Sequence, residues 1–95
     1  MKIIFSQEFL TALDDILGFI AEDGSAKARK FQSELYGKIY DLGFMPYKFR
    51  KSPSFDDENI RDFIFKGYVM PYLIDKRNDT IAVLGIFKEN LFKLL

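Results

Sequence analysis

The side chains best suited to acid–base and nucleophilic chemistry are missing: the chain contains neither histidine nor cysteine. That excludes histidine general bases, Ser-His-Asp triads, thiol nucleophiles, a disulfide framework and the usual zinc sites. Chemistry is left to Lys, Arg, Asp, Glu and Tyr. Phosphoryl transfer would need a proton acceptor at the nucleophile, a donor at the leaving group and cations around the phosphate. Here the acceptor would have to be a lysine of depressed pKa, a carboxylate or a tyrosine. The densest group of cations lies in Tyr47-Lys48-Phe49-Arg50-Lys51, where aromatic and basic residues alternate. Arg61, Lys66, Lys76, Arg77 and Lys88 follow singly or in pairs. Asp56-Asp57-Glu58 lacks the spacing of a calcium loop and reads as a solvated turn. No metal or cofactor is expected.

The cations are concentrated although the chain is neutral overall. Residues 1–25 hold one base against five acids, residues 26–51 seven bases against two acids, and the remainder six against seven. A basic middle could meet phosphate or an acidic partner; solvated helix and strand faces are the plainer explanation. With no net positive charge to concentrate RNA, direct nucleic-acid binding is not expected. The 95 residues predict one domain, 1–95, and 48% hydrophobic content excludes disorder. No apolar run approaches the roughly 20 residues that span a bilayer. Residues 1–5 are too short for a signal peptide, and Gln7-Glu8 interrupts them, so a cytoplasmic protein is the expectation.

These residues must be positioned by a small set of elements. Residues 2–5 read as a short strand, with Ser6 capping the helix that follows. Phe9, Leu13, Ile16, Leu17 and Ile20 form its apolar stripe. Gly24 marks a turn and Ser25 the next cap. Ala28, Phe31, Leu35, Ile39 and Leu42 line the second helix, which Gly43 and Pro46 end. Gly18 and Gly37 inside the helices mark either close approach or simple tolerance. Strands are then expected at residues 47–51, 59–65, 68–74 and 80–87, with Lys66-Gly67 and residues 75–79 as turns. The fold class is α+β, in the order β-α-α-β-β-β-β, with a helical hairpin packed on one face of a mainly antiparallel sheet. Pro71 stands in the middle of the 68–74 strand. Its missing N–H predicts a bulge or an interrupted ladder bond.

This order resembles the RelE/ParE superfamily, the toxin halves of bacterial type II toxin–antitoxin pairs, often met in plasmid stabilization. The resemblance rests on several pieces taken in order: Ile20-Ala21, then Ala28, Phe31 and Leu35, then Asp41-Leu42 with Pro46. Asn59-Ile60-Arg61-Asp62-Phe63, Gly67-Tyr68 with Tyr72-Leu73-Ile74-Asp75, and the apolar run before Lys88 complete it. It implies one of two activities. RelE-like members cut messenger RNA on the ribosome; ParE-like members poison DNA gyrase. Either implies a cognate antitoxin as partner, and an orphan interaction module is the third alternative.

The face of the sheet away from the helices decides between them. RelE-like ribonucleases place lysines and arginines there. The matching positions in this chain are Asp62, Ile64, Val69 and Glu89, and Lys88 stands where other branches carry a histidine. No catalytic residue is therefore expected, and the ParE-like reading is preferred. Alternation directs Ile64, Val69, Pro71, Leu73, Val83 and Phe87 outward, and Leu84 and Ile86 toward the helices. Such an apolar face calls for a cover: either the tail, with Leu91, Phe92, Leu94 and Leu95, or a partner chain. The residues expected to contact antitoxin or target are Arg61, Lys48, Arg50, Lys51, Val69, Pro71, Leu73, Phe87 and Lys88. For Arg61 the structural alternative is an ion pair with an acid of the first helix. For Lys48, Arg50 and Lys51 it is protection of a sheet edge.

Overall fold

In the computed structural model, which describes residues 1–89, the chain starts at one edge of a sheet and crosses to the other through two helices. β1 (Lys2–Phe5) leads into α1 (Gln7–Ala21) and α2 (Ser25–Asp41); β2 (Ile60–Phe65), β3 (Tyr68–Asp75), β4 (Thr80–Val83) and β5 (Phe87–Lys88) follow. The strand order is β1-β4-β3-β2, with β5 added to β3. β1 pairs with β4 in parallel, and every other pairing is antiparallel.

Ser6 caps α1: its Oγ accepts the Phe9 N–H at 3.0 Å and donates to the Leu84 carbonyl at 2.7 Å. One hydroxyl thus satisfies a helix end and ties it to the chain beyond β4. The second cap differs from expectation. Gly24, not Ser25, is the N-cap of α2, at φ 147° and without a side-chain bond. The sharp link after α1 needs a backbone angle that a serine would resist. Phe9 and Leu13 of α1, and Phe31, Leu35 and Ile39 of α2, are buried in one cluster with Phe63, Phe65, Met70, Tyr72, Ile74, Ile81, Val83 and Ile86. Phe31 stands edge-on to Phe65 and Tyr68, and Phe5 stacks on Phe9. The registers place all these sheet residues on one face, so both helices pack there. Gly18 and Gly37 do not serve close approach, since a Cβ at either would meet nothing within 4 Å.

Two expected strands are altered. Residues 47–51 form no strand; they make one antiparallel bridge, Lys51 to Arg61. The Asp62 N–H reaches the Arg50 carbonyl and the Ser52 N–H reaches the Ile60 carbonyl. Pairing stops there because residues 45–48 turn, with the Lys48 N–H on the Met45 carbonyl. The Tyr72 hydroxyl holds the Pro46 carbonyl at 2.6 Å, drawing the chain toward the helix side of the sheet.

The expected strand 80–87 breaks into β4 and β5. Tyr72 to Asp75 pair with β4, and Tyr68 and Val69 pair with β5. Between them, Met70 and Pro71 face three residues, 84–86, so the far chain carries one extra residue: a bulge. The Pro71 carbonyl accepts the Leu84 N–H at 2.9 Å. A strand residue's N and C=O point to the same neighbour, so the proline nitrogen points into this gap, where a donor would have no ladder partner. Pro71 is thus accommodated in an interior strand. The extra residue also shifts the alternation. Ile81 and Val83 face the helices, although strict alternation directs both outward, while Ile86 faces them beyond the bulge as expected. Val83 is therefore withdrawn from the outward face.

Candidate functional site

The residues expected to contact a partner fall on three surfaces. On the outward face, register aligns Ile4, Ala82, Leu73 and Ile60 across the sheet, then Pro71 with Asp62, and Phe87, Val69 and Ile64. Ile4, Ile64 and Phe87 are 43%, 40% and 46% exposed, whereas Val69 and Pro71 are buried and Leu73 is half-buried. The apolar surface presented outward is thus carried by Ile4, Ile64 and Phe87. The tail residues 91–95, expected as one cover for this face, lie outside the described residues. Phe87 folds back on Gly85, whose hypothetical Cβ would lie 3.0 Å from the ring. A larger residue at 85 would push that ring off the sheet.

Asp62 is the unusual polar group on this face. It is 2% exposed, and among the described residues neither carboxylate oxygen has a hydrogen-bond partner; the Arg50 guanidinium is 3.6 Å from Oδ2. A buried carboxylate so thinly compensated repels a phosphate rather than holding one. Ile64 and Val69 beside it offer no charge.

Arg61 and Lys88 lie on the helix side. Arg61 does not reach α1. Its Nε donates to the Glu58 carbonyl at 3.0 Å and its Nη1 to the Phe49 carbonyl at 3.1 Å. Nη2 is 3.6 Å from the Glu58 carboxylate, and the guanidinium lies over the Tyr47 ring. It fastens the irregular segment before β2 to the sheet. Lys88 lies over the Phe19 ring at 5.9 Å and lines a small cavity of about 180 Å³ with Asp15 and Tyr68.

The third surface is the β2 edge. Arg50 faces Asp62, and Lys51 lies 3.7 Å from both Asp56 and Glu58. The basic run is thereby partly neutralised from within, by acids that sequence distance had separated from it. Lys66 is engaged too, 2.7 Å from Glu34; this bond holds the Glu34 carboxyl below its ordinary range.

Among the described residues the Lys48 side chain keeps only the Phe49 ring. It flanks an open cleft of about 460 Å³ between the end of α2 and β2, lined by Lys38, Leu42, Phe44, Met45, Phe49 and Ile64 among others. The sequence reading missed this cleft. Its signal was Phe44-Met45, two large apolar residues between a helix terminator and a proline, now 84% and 64% exposed.

A family model described as "ParE toxin of type II toxin-antitoxin system, parDE" matches residues 3–90. Among solved structures, the chain is similar to one from the chromosomal ParDE TA system of P. aeruginosa, with a TM-score of 0.75 at 16% identity, covering 93% of this chain and 95% of that one. At that identity the likeness establishes the fold. No curated protein matches by sequence. Among the described residues no helix is long and apolar enough to cross a membrane. A family match that runs from β1 through β5, on a fold shared with a ParDE system, places this chain in the ParE toxin family of type II toxin–antitoxin systems.

Proposed function

We propose that the chain is a toxin that acts by binding a protein target, not by cutting RNA, and that a cognate antitoxin silences it by direct contact. The observation that carries this reading is the outward sheet face. Where a ribonuclease of this fold needs cations around a phosphate, this face carries a buried, thinly compensated carboxylate, Asp62, flanked by aliphatic Ile64 and Val69. The remaining candidates for RNA chemistry are dispersed. The guanidinium of Arg61 is engaged with Glu58 and Phe49, Arg50 faces Asp62, and Lys88 and Tyr68 lie toward the helix face. DNA gyrase is the target that the superfamily resemblance supplies, with the cytoplasm as the site of action. The contact surface combines the exposed residues of the earlier set, Lys48, Arg50, Lys51, Phe87 and Lys88, with Ile64 and the cleft beside it.

Expression without an antitoxin tests the reading. Growth arrest with a DNA-damage response and intact messenger RNA is expected, together with inhibited supercoiling by purified gyrase. Ribosome-dependent cuts in primer extension, abolished by Arg61→Ala or Lys88→Ala in a folded protein, would instead establish the RelE-like activity.

A further inference from the structure

The strand order leaves β2 as a sheet edge, and only half of that edge is paired. Along β2, residues 60, 62 and 64 turn their backbone groups away from β3. The Ile60 carbonyl and the Asp62 N–H are taken by Ser52 and Arg50. Ile64 comes next, and among the described residues nothing bonds its N–H or C=O across the edge. The chain that would have continued the pairing turns away at residues 45–48, with its Pro46 carbonyl held by Tyr72. That departure opens the cleft. Its wall presents Phe44 and Met45, and Ile64 is itself 40% exposed. Lys38 and Lys48 flank it against one acid, Asp41, and neither lysine is in an ion pair among the described residues.

An unpaired strand edge, an apolar wall and an excess of cations together describe a receptor for an extended acidic peptide. We propose that an extended segment of the antitoxin adds to the sheet along the free half of β2, pairing its backbone with Ile64. Its apolar side chains enter the cleft beside Phe44 and Met45, and its carboxylates meet Lys38 and Lys48. The proposal rests on the antitoxin reading above and specifies where and in what conformation the antitoxin binds. The paired half of the edge fixes the register, since Arg50 already occupies the position at Asp62.

Amide hydrogen exchange resolved by residue tests it, on the chain alone and with the antitoxin encoded beside its gene. In the free chain the Ile64 amide should exchange fast, while Phe63 and Phe65, which face β3, exchange slowly. In the complex the Ile64 amide should slow by at least about tenfold, the effect of one hydrogen bond of about 1.4 kcal/mol. Ile64→Pro removes the outward N–H together with the Ile64 side chain and spares the β2–β3 bonds, which at this register are made by residues 63 and 65; it should weaken the complex several-fold more than Ile64→Ala, which keeps the N–H. Lys38→Glu with Lys48→Glu should weaken it further at low salt than at high salt. A complex in which the Ile64 amide still exchanges fast overturns this proposal and leaves the toxin–antitoxin reading intact. If no complex forms, that reading falls and the proposal with it. Protection that rises with the concentration of the chain alone would assign the edge to a second copy, and would likewise overturn the proposal.

Discussion

Tyr72 is completely buried, and its hydroxyl donates to the Pro46 carbonyl. Burial pushes its pKa well above the ordinary tyrosine value, with a smaller opposing pull from Arg61. The consequence for stability has a definite sign. The folded chain holds this proton more tightly than the unfolded one, so the contribution is complete below about pH 10 and is lost as pH rises further. Tyr72→Phe should cost about 1–2 kcal/mol at neutral pH, from the bond lost at the Pro46 carbonyl. It should also flatten the alkaline fall in stability, as denaturant titrations between pH 8 and 11 would record. Asp62 predicts the opposite outcome. An amide there avoids burying a charge with two unbonded oxygens, so Asp62→Asn should leave the melting temperature unchanged or raise it. A fall of several degrees would mean that the Arg50 contact, 3.6 Å long, matters more than its geometry implies. In the sequence Arg61 offered a partner contact or an ion pair with an acid of the first helix; the structure instead bonds it to the Glu58 and Phe49 carbonyls, which an irregular loop fixes and no periodicity announces.

At the scale of elements, the sequence was legible wherever periodicity ran unbroken. Both helices follow their apolar stripes, and β2 and β3 keep the expected alternation, with Phe63, Phe65, Met70 and Tyr72 inward. Legibility ended at the bulge. An extra residue among 84–86 changes which side chains face the core, and it is defined only by the strand opposite. Pro71 signalled that irregularity from across the ladder, but could not say which chain carried the additional residue. The basic run at 47–51 failed as a strand for a related reason: its pairing is cut short by a turn and a tyrosine contact distant in sequence. Two glycines test the backbone account in opposite directions. Gly37 lies within α2 with open space where a Cβ would stand, so Gly37→Ala should stabilise by about 0.5–1 kcal/mol. Gly67 has equally open space but φ 83°, following Lys66 at φ 48°, the angles of a tight hairpin turn. Gly67→Ala should therefore destabilise by about 1 kcal/mol. Equal signs in urea titrations would contradict the assigned turn.

For the whole molecule, the sequence announced the layers but not the order of the strands within the sheet. The parallel seam between β1 and β4 joins the first residues to the eighties, and no local signal marks it. That seam makes β1 more than an edge trimming. Phe5, half-buried, packs against Phe9 and Tyr36 at the margin of the core, so Phe5→Ala should cost about 2 kcal/mol. Ile4 faces outward, and Ile4→Ser should cost under about 1 kcal/mol. Thermal melts of the two variants compare the faces of one strand directly. The seam also bears on the order of events during biosynthesis. A nascent chain emerges from its N-terminus, yet β1 has nothing to pair with until Thr80–Val83 have been made. The sheet therefore cannot close until residues 80–83 have been made, and any fragment that stops short of them leaves β1 without its partner strand.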